Sequence, residues 1–182
     1  NELPEDINED LLFRSHDHSI RRIVAENSDA VELSAYAQLL DDENSAVRME
    51  VAKNPEAPRL EGCARLIKDE SSGVRRAAAA NPNASEMEDY QTLFEDDSYR
   101  VREAAAANPK APAIKGFGAL FEDDSYRVRK VAAGNPFAPT LKGYARFILQ
   151  GDEEIRETAA SNPNAPKLEE YENLFTDERW EV

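Results

Sequence analysis

The chain has 182 residues, 41% apolar and 32% charged, with 37 Asp and Glu against 22 Lys and Arg and a formal net charge of −15. That is enough apolar material for a core, while the negative excess repels nucleic acid and anionic membrane surfaces and suits a basic protein partner. The single cysteine, Cys63, excludes a disulfide framework and a cysteine-held zinc or iron–sulfur centre, and with neither an apolar run of about 18 residues nor a charged-then-apolar leader, a cytoplasmic protein is expected.

A fixed period organises the chain. The stretch Leu93 to Arg102 recurs unchanged as Leu120 to Arg129, 27 residues on. The same offset links Asn27, Asn54, Asn81, Asn108, Asn135 and Asn162, each of the last five followed by proline. A repeat of this length means stacked units, none of which can bury its apolar face alone. The expected fold is all-α, a solenoid of about seven two-helix repeats forming a single repeat domain over residues 1–182. Residues 1–26 form a capping repeat, 27–161 five full repeats and 162–182 a truncated last one.

Within a unit, Asn-Pro comes first. The residue before proline is pushed out of the helical region, so the preceding helix stops there. The Asn side chain can bond the backbone just ahead and start the turn. A second proline follows at Pro58, Pro112, Pro139 and Pro166, with Pro4 in the first copy. Proline suits the first position of a helix, so a helix of about three turns is predicted to begin here. Its apolar columns start at Leu33, Tyr36, Leu39 and Leu40 and recur through Leu60, Cys63, Leu66 and Ile67 to the later copies. That is one face of an amphipathic helix, and the alignment of columns from copy to copy reads as a stacked core.

An acidic turn comes next, as at Asp41 to Glu43 and Glu95 to Asp97. It leads into Asp17, Asn44, Ser71, Ser98, Ser125 or Asp152, residue types that cap helix N-termini. A second helix of about two turns carries Ile20, Val47, Val74, Val101, Val128 and Ile155, each followed by arginine. It ends in alanine-rich runs such as Ala77 to Ala80, which let neighbouring backbones approach. Copy one has Asp6 and Glu9 where later copies have apolar residues, which predicts a solvated outer face. The chain starts at Asn1 without methionine and stops at Val182 in the second-helix column, as expected of a processed chain or an excised segment.

The pattern Asn-Pro-x-x-Pro … Leu … Leu … Asp … Val-Arg … Ala-x-Asn-Pro resembles the leucine-rich repeat variant (LRV) family, most completely at residues 54–80 and 108–134. The resemblance implies a right-handed superhelix of alternating α and 3₁₀ helices. It also implies kinship with HEAT-like solenoids, which share an Asp six residues before the Val-Arg arginine. Here the implied pairs are Asp42/Arg48, Asp69/Arg75, Asp96/Arg102 and Asp123/Arg129. Ser15 and Gln150 replace that Asp ahead of Arg21 and Arg156, which breaks the ladder near both ends. Some LRV proteins carry a cysteine-held iron–sulfur centre; this chain lacks those cysteines, and no cofactor is expected.

The Asp/Arg column reads as a structural ladder, since an arginine fork can hold two acceptors. Arg102→Leu is then expected to cost roughly 1–3 kcal/mol. The second helices carry 12 cations against 7 anions, and setting aside six ladder arginines leaves six against seven, so no basic groove for nucleic acid remains. Tyr99, Tyr126 and Trp180 share a column that is polar in other copies, and Phe137 stands where they have Glu56, Asn83, Lys110 or Asn164. These four are the candidate protein-binding residues, because exposed aromatics anchor interfaces. His16-Asp17-His18 has too few ligands for a metal site and reads as a solvated turn. No nucleophile–base arrangement or phosphate loop is present, so no catalysis is expected. The expected function is a scaffold or adaptor that binds protein. A repeat segment serving its own longer chain is the alternative, and a HEAT-like nucleic-acid-binding or enzymatic module comes third.

Overall fold

The computed structural model describes residues 9–141, 144–145 and 153–165, within two compact units, Asn1–Leu93 and Phe94–Val182. All regular elements among the described residues are helical. The first unit holds α1 (Glu9–Phe13), α2 (His18–Glu26), α3 (Ser45–Lys53) and α4 (Ser72–Ala80). The second holds α5 (Tyr99–Ala107), α6 (Tyr126–Gly134) and α7 (Glu153–Ala160). Within the first, α2, α3 and α4 pack in succession; within the second, α5, α6 and α7 do. Each unit is thus an all-α stack of repeats, as in an α-solenoid.

Asparagine ends each α-helix as its chemistry requires. Asn54, Asn81, Asn108 and Asn135 are extended, with ψ between 121° and 127°, because the following proline excludes the helical region. The Oδ1 of Asn54, Asn81 and Asn108 accepts the N–H two residues on at 3.0 Å, which closes the turn. At the other end, Asp17 and Asn44 cap their helices by accepting from Ser19 and Ala46. Ser71, Ser98 and Ser125 hold the same position without a side-chain capping bond.

The predicted first helix of three turns is not there. Two 3₁₀ segments replace it, such as Ala57–Arg59 and Cys63–Lys68, or Ala111–Ala113 and Phe117–Glu122. Leu60 and Ile114 between them are extended, with ψ of 137° and 134°. Gly62, Asp89 and Gly116 then take positive φ of 78°, 63° and 100°, a left-handed conformation no right-handed helix can contain. The apolar columns survive the change. Tyr36, Leu39, Leu66, Tyr90, Leu93, Phe117 and Leu120 are all fully buried, since short 3₁₀ turns still bring residues three apart onto one side.

The asparagines also tie repeats together. Asn81 Nδ2 donates to the carbonyls of Ala52 and Asn54 at 2.9 and 2.7 Å, and Asn135 Nδ2 to those of Ala106 and Asn108 at 2.8 and 2.9 Å. Tyrosines join this network. The Tyr36, Tyr90 and Tyr144 hydroxyls donate to the carbonyls of Ala25, Ala79 and Ala133. Burial pushes the Tyr36 hydroxyl up to about 12.

The first repeat exposes apolar side chains. Leu11, Ile20 and Ile23 are 69%, 38% and 62% exposed, although Ile20 occupies the column of the fully buried Val47, Val74 and Val101. The polar Asp6 lies outside the described residues, and Glu9 is described only as the start of α1.

Candidate protein-binding surface

Ladder arginines project from the first turn of each helix from α2 to α6 and face two directions. The inner arm reaches back within the repeat to a main-chain carbonyl. Arg48 Nη1 bonds the Asp42 carbonyl at 2.6 Å, Arg75 that of Asp69 at 2.9 Å, Arg102 that of Asp96 at 2.7 Å and Arg129 that of Asp123 at 2.7 Å. The outer arm reaches forward to the next repeat's carboxylate. Arg48 holds both Asp69 oxygens at 2.7 and 3.0 Å, and Arg102 both Asp123 oxygens at 2.7 and 2.9 Å. The implied pairs Asp42/Arg48, Asp69/Arg75, Asp96/Arg102 and Asp123/Arg129 therefore meet through backbone, and the described carboxylate rungs join residues 21 apart.

This geometry repairs the break expected at the start of the ladder. Arg21 bonds the Ser15 carbonyl at 2.5 Å, a contact any residue can supply, and its outer arm takes Asp42 at 2.6 and 2.9 Å. Position 150, where the second break was expected, lies outside the described residues.

Each ladder Asp also accepts a backbone N–H two residues on, as Asp69 does from Ser71 at 2.8 Å. Burial would push the carboxyls of Asp42, Asp69 and Asp123 up, but the arginine and N–H bonds outweigh it and hold all three below the ordinary carboxylate value. The same bonds raise Arg21, Arg48 and Arg102.

A second carboxylate completes each of these rungs from outside. Glu43, Glu70 and Asp124 touch the same guanidiniums, yet their side chains are 87%, 87% and 89% exposed. One arginine thus meets two carboxylates, and the surplus negative charge faces water. A groove of about 400 Å³ runs beside the Arg48 rung, lined by Asp41, Glu43, Arg65 and Glu70 among others. Arg65 pairs with Asp41 across it. Such a surface can hold ammonium or guanidinium groups. Scans against protein-family models, curated proteins and solved structures return no match.

The candidate aromatics separate. Tyr99 and Tyr126 open α5 and α6, half-buried beside the ladder, with Arg100 and Arg129 at 5.7 and 5.8 Å from their ring centroids. Phe137 follows the opposite end of α6 and is 52% exposed. Its N–H is held by Asn135 Oδ1 at 3.1 Å and its carbonyl by the Thr140 hydroxyl at 2.6 Å, so a rigid turn presents the ring. A nine-residue helix is about 13 Å long, so Tyr126 and Phe137 belong to different edges. Trp180 lies outside the described residues.

Among the described residues no group of three His, Cys, Asp or Glu side chains is placed to hold a metal ion. Asp17 of the His16-Asp17-His18 turn is used as a helix cap instead. No described helix is long and apolar enough to cross a membrane. The inter-repeat asparagine bonds had no sequence signal beyond the column itself. The forward arginine rung did have one: Arg21 persists where its own Asp is replaced by Ser15, and Asp42 waits 21 residues ahead.

Proposed function

We propose that this chain is a cytoplasmic protein-interaction scaffold of LRV-like, HEAT-like repeats. It binds a basic protein segment along the acidic ladder edge and carries out no chemistry of its own. The observation that carries this reading is the exposed carboxylate left over at each rung: Glu43, Glu70 and Asp124 stay in water while the buried Asp neutralises the arginine. In the first unit Glu43 and Glu70 repeat this surplus charge in successive repeats, which speeds and orients encounter with a basic partner. In the second unit Tyr99 and Tyr126, at the helix ends that also carry the Asp124 rung, add apolar contact area.

The test is affinity capture from a lysate of the source organism with the wild-type chain and with Glu43→Gln/Glu70→Gln, eluted in salt steps. A stoichiometric basic protein that leaves the variant at lower salt supports the proposal. Capture of nucleic acid alone, or identical elution from both chains, overturns it.

A further inference from the structure

The acidic groove beside Arg48 already holds a guanidinium that the chain itself supplies. Two arginines line it, and they are held differently. Arg48 is nearly buried and locked between Asp69 and the Asp42 carbonyl. Arg65 belongs to the 3₁₀ segment Cys63–Lys68, and its side chain is 46% exposed. Its Nε donates to the Gly62 carbonyl at 2.9 Å and its Nη1 to Asp41, whose side chain is 69% exposed. Glu43 and Glu70 complete the wall, touching the buried rung arginines from the water side.

Gly62 makes room for this arrangement. A Cβ built on it would lie 2.2 Å from Arg65 Nη2 and 3.0 Å from Cζ, so the guanidinium occupies the space of the missing side chain. Positive φ alone does not require that, since Gly116 in the same column has only Phe94 at 3.7 Å. In the sequence the parts travel together. Ala35, Asp89 and Gly116 precede Gln38, Thr92 and Ala119, whereas Gly62 precedes Arg65 and Gly143 precedes Arg146. Each of these two arginines has a carboxylate 24 residues before it, Asp41 or Glu122.

An ion pair as exposed as Arg65–Asp41 contributes little to stability and breaks readily. The berth is therefore filled by a cation that another can replace. It offers a backbone acceptor, the Asp41 carboxylate and two further carboxylates in water, all open to an arginine from outside once Arg65 swings away.

We propose that Arg65 is a resident competitor in this groove: an arginine of the bound basic segment displaces it from Asp41, so that the chain sets its own affinity for the partner. The inference rests on the scaffold reading, because it concerns the regulation of the same groove. If Arg65 fills the berth about four-fifths of the time, as a weak exposed pair can, removing it tightens binding roughly fivefold.

Fluorescence anisotropy with a labelled hexa-arginine peptide at low salt tests this on the full chain. Arg65→Gln should melt like the wild type and bind the peptide roughly fivefold more tightly. Lys53→Gln removes the same charge at the far end of α3 and should change affinity little, which separates a vacated berth from a shift in overall charge. Glu43→Gln/Glu70→Gln should bind more weakly. If the double variant weakens binding while Arg65→Gln gains no more than Lys53→Gln, the groove reading stands and the competitor proposal is overturned. A wild type that ignores the peptide, or a double variant that binds it as well as the wild type does, overturns the scaffold reading and this proposal together.

Discussion

Arg102 illustrates how much one side chain joins. Its inner arm satisfies the Asp96 carbonyl, its outer arm holds both oxygens of a nearly buried Asp123, and its edge touches the exposed Asp124. The exposed contact is screened by water and adds little. The buried ones matter, because removing the guanidinium leaves a carboxylate desolvated and unpaired. Arg102→Leu is expected to cost about 3 kcal/mol, read as a lower midpoint in urea at unchanged slope. An unchanged midpoint would mean that Asp123 finds other partners or water. Arginine's role was legible from its column and the planarity of its fork. Its direction was legible mainly at Arg21, where Ser15 replaces the aspartate of its own copy and Asp42 stands 21 residues ahead; at Arg48 both spacings are filled, by Asp42 and Asp69.

At the scale of the element, the α-helices and the 3₁₀ pairs are distinguished by backbone conformation more than by apolar pattern. Residues three apart share a side in both helix types, so the columns that predicted a first helix were sound about burial and wrong about its geometry. The break was present as Gly62 and Gly116 in one column, but only Asp89 beside them reveals a left-handed site and not a flexible one. Gly134 stands where positions 80 and 107 have alanine, and Thr158 follows Ala77, Ala104 and the similarly sized Val131 in its column. The glycine accommodates the larger threonine, whose Cγ2 occupies the approach a methyl would use. Gly134→Ala alone should gain little, as helix propensity is offset by crowding, whereas adding Thr158→Ala should release about 1 kcal/mol. A double-mutant cycle in thermal melting measures that coupling; strictly additive effects would show that the two residues do not meet.

For the whole molecule, the ladder makes stability depend on acid. Asp42 and Asp69 in the first unit and Asp123 in the second have folded values below the ordinary carboxylate value. Above an unfolded value of about 3.9, both states are ionised and the rungs contribute in full. As pH falls through that value the unfolded chain takes up protons first, and the contribution drains away until the folded carboxyls protonate too. Melting temperature should therefore be flat near neutrality and fall steeply below about pH 4. Asp69→Asn should melt lower at neutral pH and lose less on acidification. An equal acid-induced fall in both proteins would place the titrating groups outside the ladder.

The sequence by itself determined the period, the helical class, the buried columns and the asparagine stop, because each rests on local chemistry repeated at a fixed interval: proline's constraint on the residue before it, side-chain burial and helix propensity. Tertiary structure alone decided that the arginine's inner arm takes a carbonyl and not the carboxylate of its own copy, which carbonyls the asparagine amides bridge, and that Ile20 and Ile23 are exposed. Those outcomes depend on what lies across an interface between repeats, and a periodic sequence looks the same whether a residue bonds within its own copy or one period away.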